Sequence, residues 1–339
     1  MKTLEYTLRF ITPAFLGNAE QNGQWRTPPF KALLRQWWRV AYAAEQGFRM
    51  DTAAIAEMRK KEGMLFGHAW LEGDRDDKGS KVAARKSLVR IRLDDWSLGK
   101  LNQAPVIGAV AMGKNQIPGA LYSGYGPVVP GPMKAGPKLK ANAAIQSEEK
   151  ALFRIAFPEG AGIEEAITLI NAYGALGGRS RNGWGSFELK GDIPAPKDFA
   201  RDWKEAMQLD WPHALGKDEN GDLVWESSPQ SKWEDAMKLL AQARADMRRA
   251  VPDRLMLAYP DTRDTMKGWG KNDRVPNSLR FKVRSGGKQF IALIFHMPCR
   301  PGAELWQKLS TQKQQGFVAC FSAAHAFLDK HQQFHRVGV

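Results

Sequence analysis

The stretch Tyr173-Gly-Ala-Leu-Gly-Gly-Arg-Ser-Arg-Asn-Gly-Trp-Gly-Ser-Phe187 carries five glycines, at 174, 177, 178, 183 and 185. They free the backbone to take positive φ and to approach another molecule closely, while Arg179 and Arg181 fix two permanent cations at the bend. Upstream, Ile163, Ile167, Ile170 and Tyr173 recur at helical spacing; downstream, Trp184–Lys190 reads as a strand. The order is helix, glycine loop, strand. A dinucleotide fingerprint needs strand, glycine turn, helix, and a P-loop needs Gly-Lys-Ser/Thr after its glycines, so both are excluded. Two cations on a glycine bend suit a phosphate-rich polymer instead.

Charge supports that reading. Among 339 residues, 50 Lys and Arg face 36 Asp and Glu, a net charge of +14 and a pI near 9.7, which attracts polyanions at long range. The longest clearly apolar run, Ile291–Phe295, is far too short to span a bilayer, and the alternating N-terminus is no signal-peptide core. A cytoplasmic protein with no membrane partner is expected. Cys299 and Cys320 form no CxxC, no HExxH occurs among the six histidines, and Asp74, Asp76 and Asp77 lack the period of a calcium loop. Neither metal nor cofactor is predicted.

Taken in order, Leu4, Tyr6, Leu8 and Phe10 alternate with polar residues as a half-buried strand. Thr27 as N-cap and Pro28 at the first position open a helix over 28–44. On it Lys31, Arg35 and Arg39 form a cationic stripe edged by the Trp38 and Tyr42 rings. Further clusters, Arg59-Lys60-Lys61 and Arg85-Lys86, flank an apolar turn at 64–67. From Trp96 to Ser147 there is no Asp or Glu, but there are eight glycines, six prolines and lysines at 100, 114, 134, 138 and 140. That composition suits an extended basic insertion lying along phosphates, with 127–140 as a loop or arm. Gly191–Pro196 reads as a linker, dividing the chain into 1–191 and 192–339.

In the second part, Lys267-Gly-Trp-Gly-Lys271 repeats the combination of glycine, base and aromatic ring. Leu279, Phe281 and Val283 alternate with Arg280, Lys282 and Arg284, and Ser285-Gly-Gly-Lys288 turns the chain back into a second strand. One hairpin face thus carries three cations. Strands interleaved with a few helices in each part predict an α+β fold of tandem ferredoxin-like, or RRM-like, βαββαβ domains with a long basic Gly/Pro-rich insertion.

Three features resemble one family. The strand end Ile11-Thr-Pro13, the helix entry Arg26-Thr-Pro-Pro-Phe-Lys31 running into Leu34-Arg-Gln-Trp-Trp-Arg39, and Gly177-Gly-Arg-Ser-Arg-Asn-Gly-Trp-Gly185 are similar to the RAMP superfamily of CRISPR-associated proteins. Within it they resemble most the family of the first subunit of type III-B (Cmr) RNA-targeting complexes. This chain has Asn182 and Trp184 where relatives often carry arginine and phenylalanine, and Ala32 where glycine is common. The resemblance implies a non-catalytic RNA-binding subunit that holds guide (CRISPR) RNA and target RNA on the guide 3′ side, alongside other subunits of the complex. It also implies that Gly177, Gly178, Arg179, Ser180, Arg181 and Asn182 contact phosphate, with Lys31, Arg35 and Arg39 lining the same cleft. Lys114, Lys267 and Lys271 add charge, and Trp38, Trp184 and Trp269 are candidates for base stacking. Two alternatives are a RAMP-type endoribonuclease using His68 as general base and an assembly subunit that contacts only protein.

Overall fold

The structure, a computed structural model, describes residues 1–337 apart from 70, 133, 134, 197, 261–265, 267 and 271. The alternation at the N-terminus forms β1 (Lys2–Phe10), with Tyr6, Leu8 and Phe10 buried. Then come α1 (Thr27–Glu45), α2 (Thr52–Phe66), β2 (Arg90–Leu93), β3 (Lys150–Phe157), α3 (Ile163–Tyr173) and β4 (Phe187–Lys190). These strands form one antiparallel sheet in the order β4-β1-β3-β2. Helix α1 starts at Thr27, with Arg26 in the cap position and no side-chain cap.

The second part repeats the arrangement with β5 (Val224–Ser227), α4 (Trp233–Ala250), β6 (Leu279–Gly286), β7 (Gln289–His296), α5 (Thr311–Asp329) and β8 (Phe334–Arg336). Its sheet runs β6-β7-β5-β8 and is again antiparallel. Numbered within its own unit, each sheet therefore reads fourth, first, third, second strand. A small sheet over 200–222 lies between the two in sequence. The chain is α+β, with several antiparallel sheets.

The two parts share their cores. Buried β1 and α3 side chains cluster with Leu293 and Phe295 of β7, while Ile11 and Trp184 join Met237, Leu240, Phe281 and Ile294. The seam is also polar. Lys282, 1% exposed, donates from Nζ to the Asn171 carbonyl at 2.8 Å and the Ile170 carbonyl at 3.4 Å, and Arg284 Nε donates to the Ala172 carbonyl at 2.9 Å. These carbonyls belong to the last turn of α3, where the helix dipole favours cations; Ile170 O also takes the Gly174 N–H, while the Asn171 and Ala172 carbonyls lie past the last intrahelical donors. Lys282 and Arg284 therefore cap a helix instead of forming a solvent face, and Arg284 also pairs with Glu226 through Nη1 at 2.6 Å. Burial, and next Arg284, push the Lys282 ammonium well below the usual lysine range.

The carboxylate-free stretch is folded. It contains the hairpin of Val110–Met112 and Asn115–Ile117, the helix Gly119–Gly124, and the paired strands Val128–Pro130 and Pro137–Leu139. Val110 packs with Ala241 and Ala245 of α4, and the Gln242 side chain brackets Ala111, accepting from its N–H at 2.8 Å and donating to its carbonyl at 3.3 Å. The expected loop or arm over 127–140 is instead a hairpin against the body of the protein, with Lys134 outside the described residues. Among the described residues, no helix is long and apolar enough to cross a membrane.

Candidate nucleic-acid interface

The glycine loop lies on the seam. Gly174 N–H closes α3 on the Ile170 carbonyl at 2.7 Å, and the loop is then stitched to the end of β1. Gly178 N–H donates to Phe15 O at 3.0 Å, Gly185 N–H to Pro13 O at 2.8 Å, and Thr12 Oγ1 to Gly183 O at 2.8 Å. From the other side Phe281 N–H of β6 donates to Arg181 O at 3.2 Å. Both parts of the chain therefore fix the loop backbone, and what projects from it is positioned before any ligand arrives.

Two guanidinium groups project. Arg179 is exposed, sits at φ 60°, and donates from Nε to the Tyr125 carbonyl at 2.6 Å; among the described residues its Nη groups have no hydrogen-bond partner. Arg181 is also exposed, and among the described residues its side chain has no hydrogen-bond or ion-pair partner. Near Arg181 lies Arg280, 8% exposed and, among the described residues, without a carboxylate and with its Nε unpartnered; the Gln36 amide, turned so that its oxygen faces the guanidinium, accepts from it at 2.5 and 3.1 Å. Burial, then Arg181, lower Arg280 to about 9. Among the described residues Arg179, Arg181 and Arg280 meet no carboxylate, so this end of the seam concentrates positive charge, the electrostatic requirement for an anion.

Beside the loop is a cavity of ≈ 430 Å³, lined by Phe15, Asn22, Gly126, Pro127, Lys140 and Gly178 among others. The Tyr125 ring, 46% exposed, stands next to it in sequence. Neither Tyr125 nor Arg280 was singled out from sequence as a binding residue. The useful signal for Tyr125 was an aromatic residue between two glycines in a basic segment.

Three expected contacts point inward. Asn182, 8% exposed, donates from Nδ2 to Ser123 O at 2.9 Å, and Trp184, fully buried, donates from Nε1 to Ser123 Oγ at 3.1 Å. Trp38, 4% exposed, is stacked on Tyr42 and donates to Ala161 O at 2.8 Å. Neither Trp38 nor Trp184 offers a ring face to a base: in each case an indole of this size contributes more by filling the core. Trp269 is half-buried, edge-on to Tyr259 with centroids 4.8 Å apart. Lys267 and Lys271 lie outside the described residues. Lys114 is exposed at a hairpin turn, and Ser180 lies half-buried within the loop.

The α1 stripe does not share the loop's cavity. Lys31 and Arg35 line a different one, of ≈ 620 Å³, against α2, and the two cavities have no lining residue in common. Glu62 of α2, with its side chain 4% exposed, accepts from Arg35 Nε at 2.9 Å and from Arg39 Nε at 3.0 Å. The stripe is therefore organised around one buried carboxylate. Glu62→Gln keeps the shape but removes the charge, and it is expected to lower thermal stability by about 2 kcal/mol, less than for fully enclosed pairs because both guanidinium groups reach solvent. Thermal unfolding monitored by circular dichroism checks this.

His68 is packed, with its side chain 7% exposed. Its Nε2 shares a hydrogen bond with Asp74 Oδ2 at 2.8 Å, and Nδ1 accepts from Leu71 N–H at 3.2 Å. With both ring nitrogens occupied, no lone pair is presented for proton abstraction in this arrangement. Among the described residues no group of His, Cys, Asp and Glu is arranged to hold a metal ion.

No family model matches the chain, and no curated protein matches it. Among solved structures it is similar to the crystal structure of Cmr1 from Pyrococcus furiosus in its apo form. The two share 13% identity over 88% of this chain and 89% of that one, with a TM-score of 0.42.

Proposed function

We propose that this chain is a non-catalytic RNA-binding subunit of a type III CRISPR ribonucleoprotein effector, built from tandem ferredoxin-like units and working in the cytoplasm with other subunits of the complex. It would hold guide RNA, target RNA or both on the guide 3′ side. The sequence resemblance at the strand end, helix entry and glycine loop motivates the family. The observation that carries RNA binding is the seam itself, where Arg179 and Arg181 project from a loop fixed on both sides and neither meets a carboxylate among the described residues.

In this reading the guanidinium groups bridge successive phosphates by charge-assisted hydrogen bonds, and Tyr125 offers the accessible ring for a base. Positioning is the whole of the contribution, so no cofactor or metal takes part. Arg181→Ala is expected to weaken binding about tenfold, from a charged contact worth roughly 1.5 kcal/mol, and to do so equally for unrelated RNA sequences. Fluorescence anisotropy with two RNAs of different sequence tests this. Unchanged affinity for both would remove the loop from the interface.

A further inference from the structure

We propose that the cleft between α1 and α2 is a second anion site, separate from the glycine loop, that takes a terminal phosphate group. Its walls are Lys31 and Arg35 from α1, Arg59 and Glu62 from α2, and His68, Arg85 and Ser87 from the segment that follows α2. This segment lies close because Gly67, at φ 81°, ends α2: a Cβ there would stand 2.7 Å from Arg85 O and 2.8 Å from Ser87 N.

The charges are arranged in two ways. Arg35 and Arg85 are tethered to acids that lie beneath them. Glu62 holds Arg35 by Nε, while Asp74, with its side chain 5% exposed, accepts from Arg85 Nε at 2.6 Å and Nη2 at 2.9 Å. Arg85, and next His68, hold the Asp74 carboxyl down to about 2, so this anchor stays charged throughout the neutral range. Among the described residues the tethers leave both Nη groups of Arg35 and Nη1 of Arg85 without a hydrogen-bond partner. Lys31 and Arg59 are different: among the described residues neither has a hydrogen-bond or ion-pair partner. Four cations therefore converge on a cavity whose lining carboxylate, Glu62, is already engaged, as is Asp74 behind Arg85.

Immobilised guanidinium donors bind an anion at a smaller entropic cost than mobile surface lysines. A terminal phosphate carries close to two negative charges at neutral pH, against one for a diester within a strand, and so matches a four-cation cleft better. Such a group occurs at the end of an RNA strand or on a free nucleotide. RNA as the carrier rests on the function proposed above; the site itself does not.

The experiment uses the full chain and four probes: one short RNA with a 5′-phosphate, with a 3′-phosphate and with hydroxyls at both ends, and adenosine monophosphate followed by thermal shift. A terminal phosphate is expected to tighten RNA binding at least tenfold. Arg59→Ala should abolish this gain and leave the hydroxyl-ended RNA unaffected; Arg59 is exposed on a helix, where alanine preserves the fold. Arg181→Ala should weaken all three RNAs by the same factor and preserve the gain. Stabilisation by adenosine monophosphate that Arg59→Ala removes, with no preference among RNA ends, would assign the site to a free nucleotide. Equal affinity for all RNA ends together with no shift from the nucleotide would overturn the proposal. The nucleotide arm does not need strand binding, so failure at the loop and failure at the cleft are distinguishable.

Discussion

Gly185→Ala is expected to destabilise the protein by at least ~3 kcal/mol or to prevent folding, the largest effect of any single methyl group added in the glycine loop. Gly185 sits at φ 66°, and a Cβ on it would lie 1.8 Å from the Leu176 carbonyl oxygen and 2.9 Å from the carbonyl carbon. Both atoms are backbone and cannot rotate away. The same residues are already tied together, since Leu176 N–H donates to Gly185 O at 2.9 Å and Gly185 N–H to Pro13 O at 2.8 Å. Relief would require separating the loop from β1, which strains or breaks both bonds. Urea unfolding followed by tryptophan fluorescence measures the loss, with the fully buried Trp184 next in sequence as a local reporter. Gly17→Ala is the control: nothing lies within 4 Å of its added Cβ and its φ is ordinary, so stability should hardly change.

Acid lability is the second large effect. His213, His296 and His325 are buried, at 0%, 0% and 4% exposure. Burial, then the cation of Arg201, hold His213 down to about 4; burial holds His325 down to about 3; burial, then His325, push His296 well below the usual range. His296 and His325 also share a hydrogen bond of 3.1 Å, and Ser278 Oγ lies 3.2 Å from the far nitrogen of His296. The unfolded chain takes up protons at these histidines near pH 6.5, whereas the folded chain does not. Their contribution is thus fully present above about pH 6.5 and is lost as the pH falls toward the folded values. At about 1.4 kcal/mol per pH unit per group, the loss between pH 6.5 and 4.5 is on the order of several kcal/mol. Melting temperatures should fall steadily across that window, before Asp74 begins to titrate. A flat profile from pH 7 to 5 would contradict it.

Periodicity made much of the frame legible. The alternation at 4–10 and the paired alternation across Ser285–Lys288 become strands because one face of each is apolar, whatever lies on the other face. For the same reason the role of that other face was hidden. Arg280, Lys282 and Arg284 read as a solvated cationic row, yet they face the end of α3 and the Gln36 amide, partners more than 100 positions away in sequence. The α1 stripe is a similar case. Its spacing fixes one helix face, but only the packing of α2 shows that Glu62 gathers two of its arginines. Tryptophans 38 and 184 were assigned to bases because an indole beside arginines looks accessible in one dimension, whereas both fill the core. In the basic insertion the apolar residues were too sparse to announce a core, and they bury themselves on α4. The loop's own chemistry was readable, since glycines and two arginines act locally.

The most direct test of the central claim is the salt dependence of RNA binding by the full chain, measured on one single-stranded RNA from low to physiological salt. The wild-type protein is predicted to lose affinity steeply with salt, and the Arg179→Ala, Arg181→Ala double variant to show a logarithmic slope shallower by about 1.4, or about 0.7 for each phosphate contact removed. A double variant that binds as tightly as wild type with the same slope would contradict the assignment of the glycine loop as the RNA-contacting element.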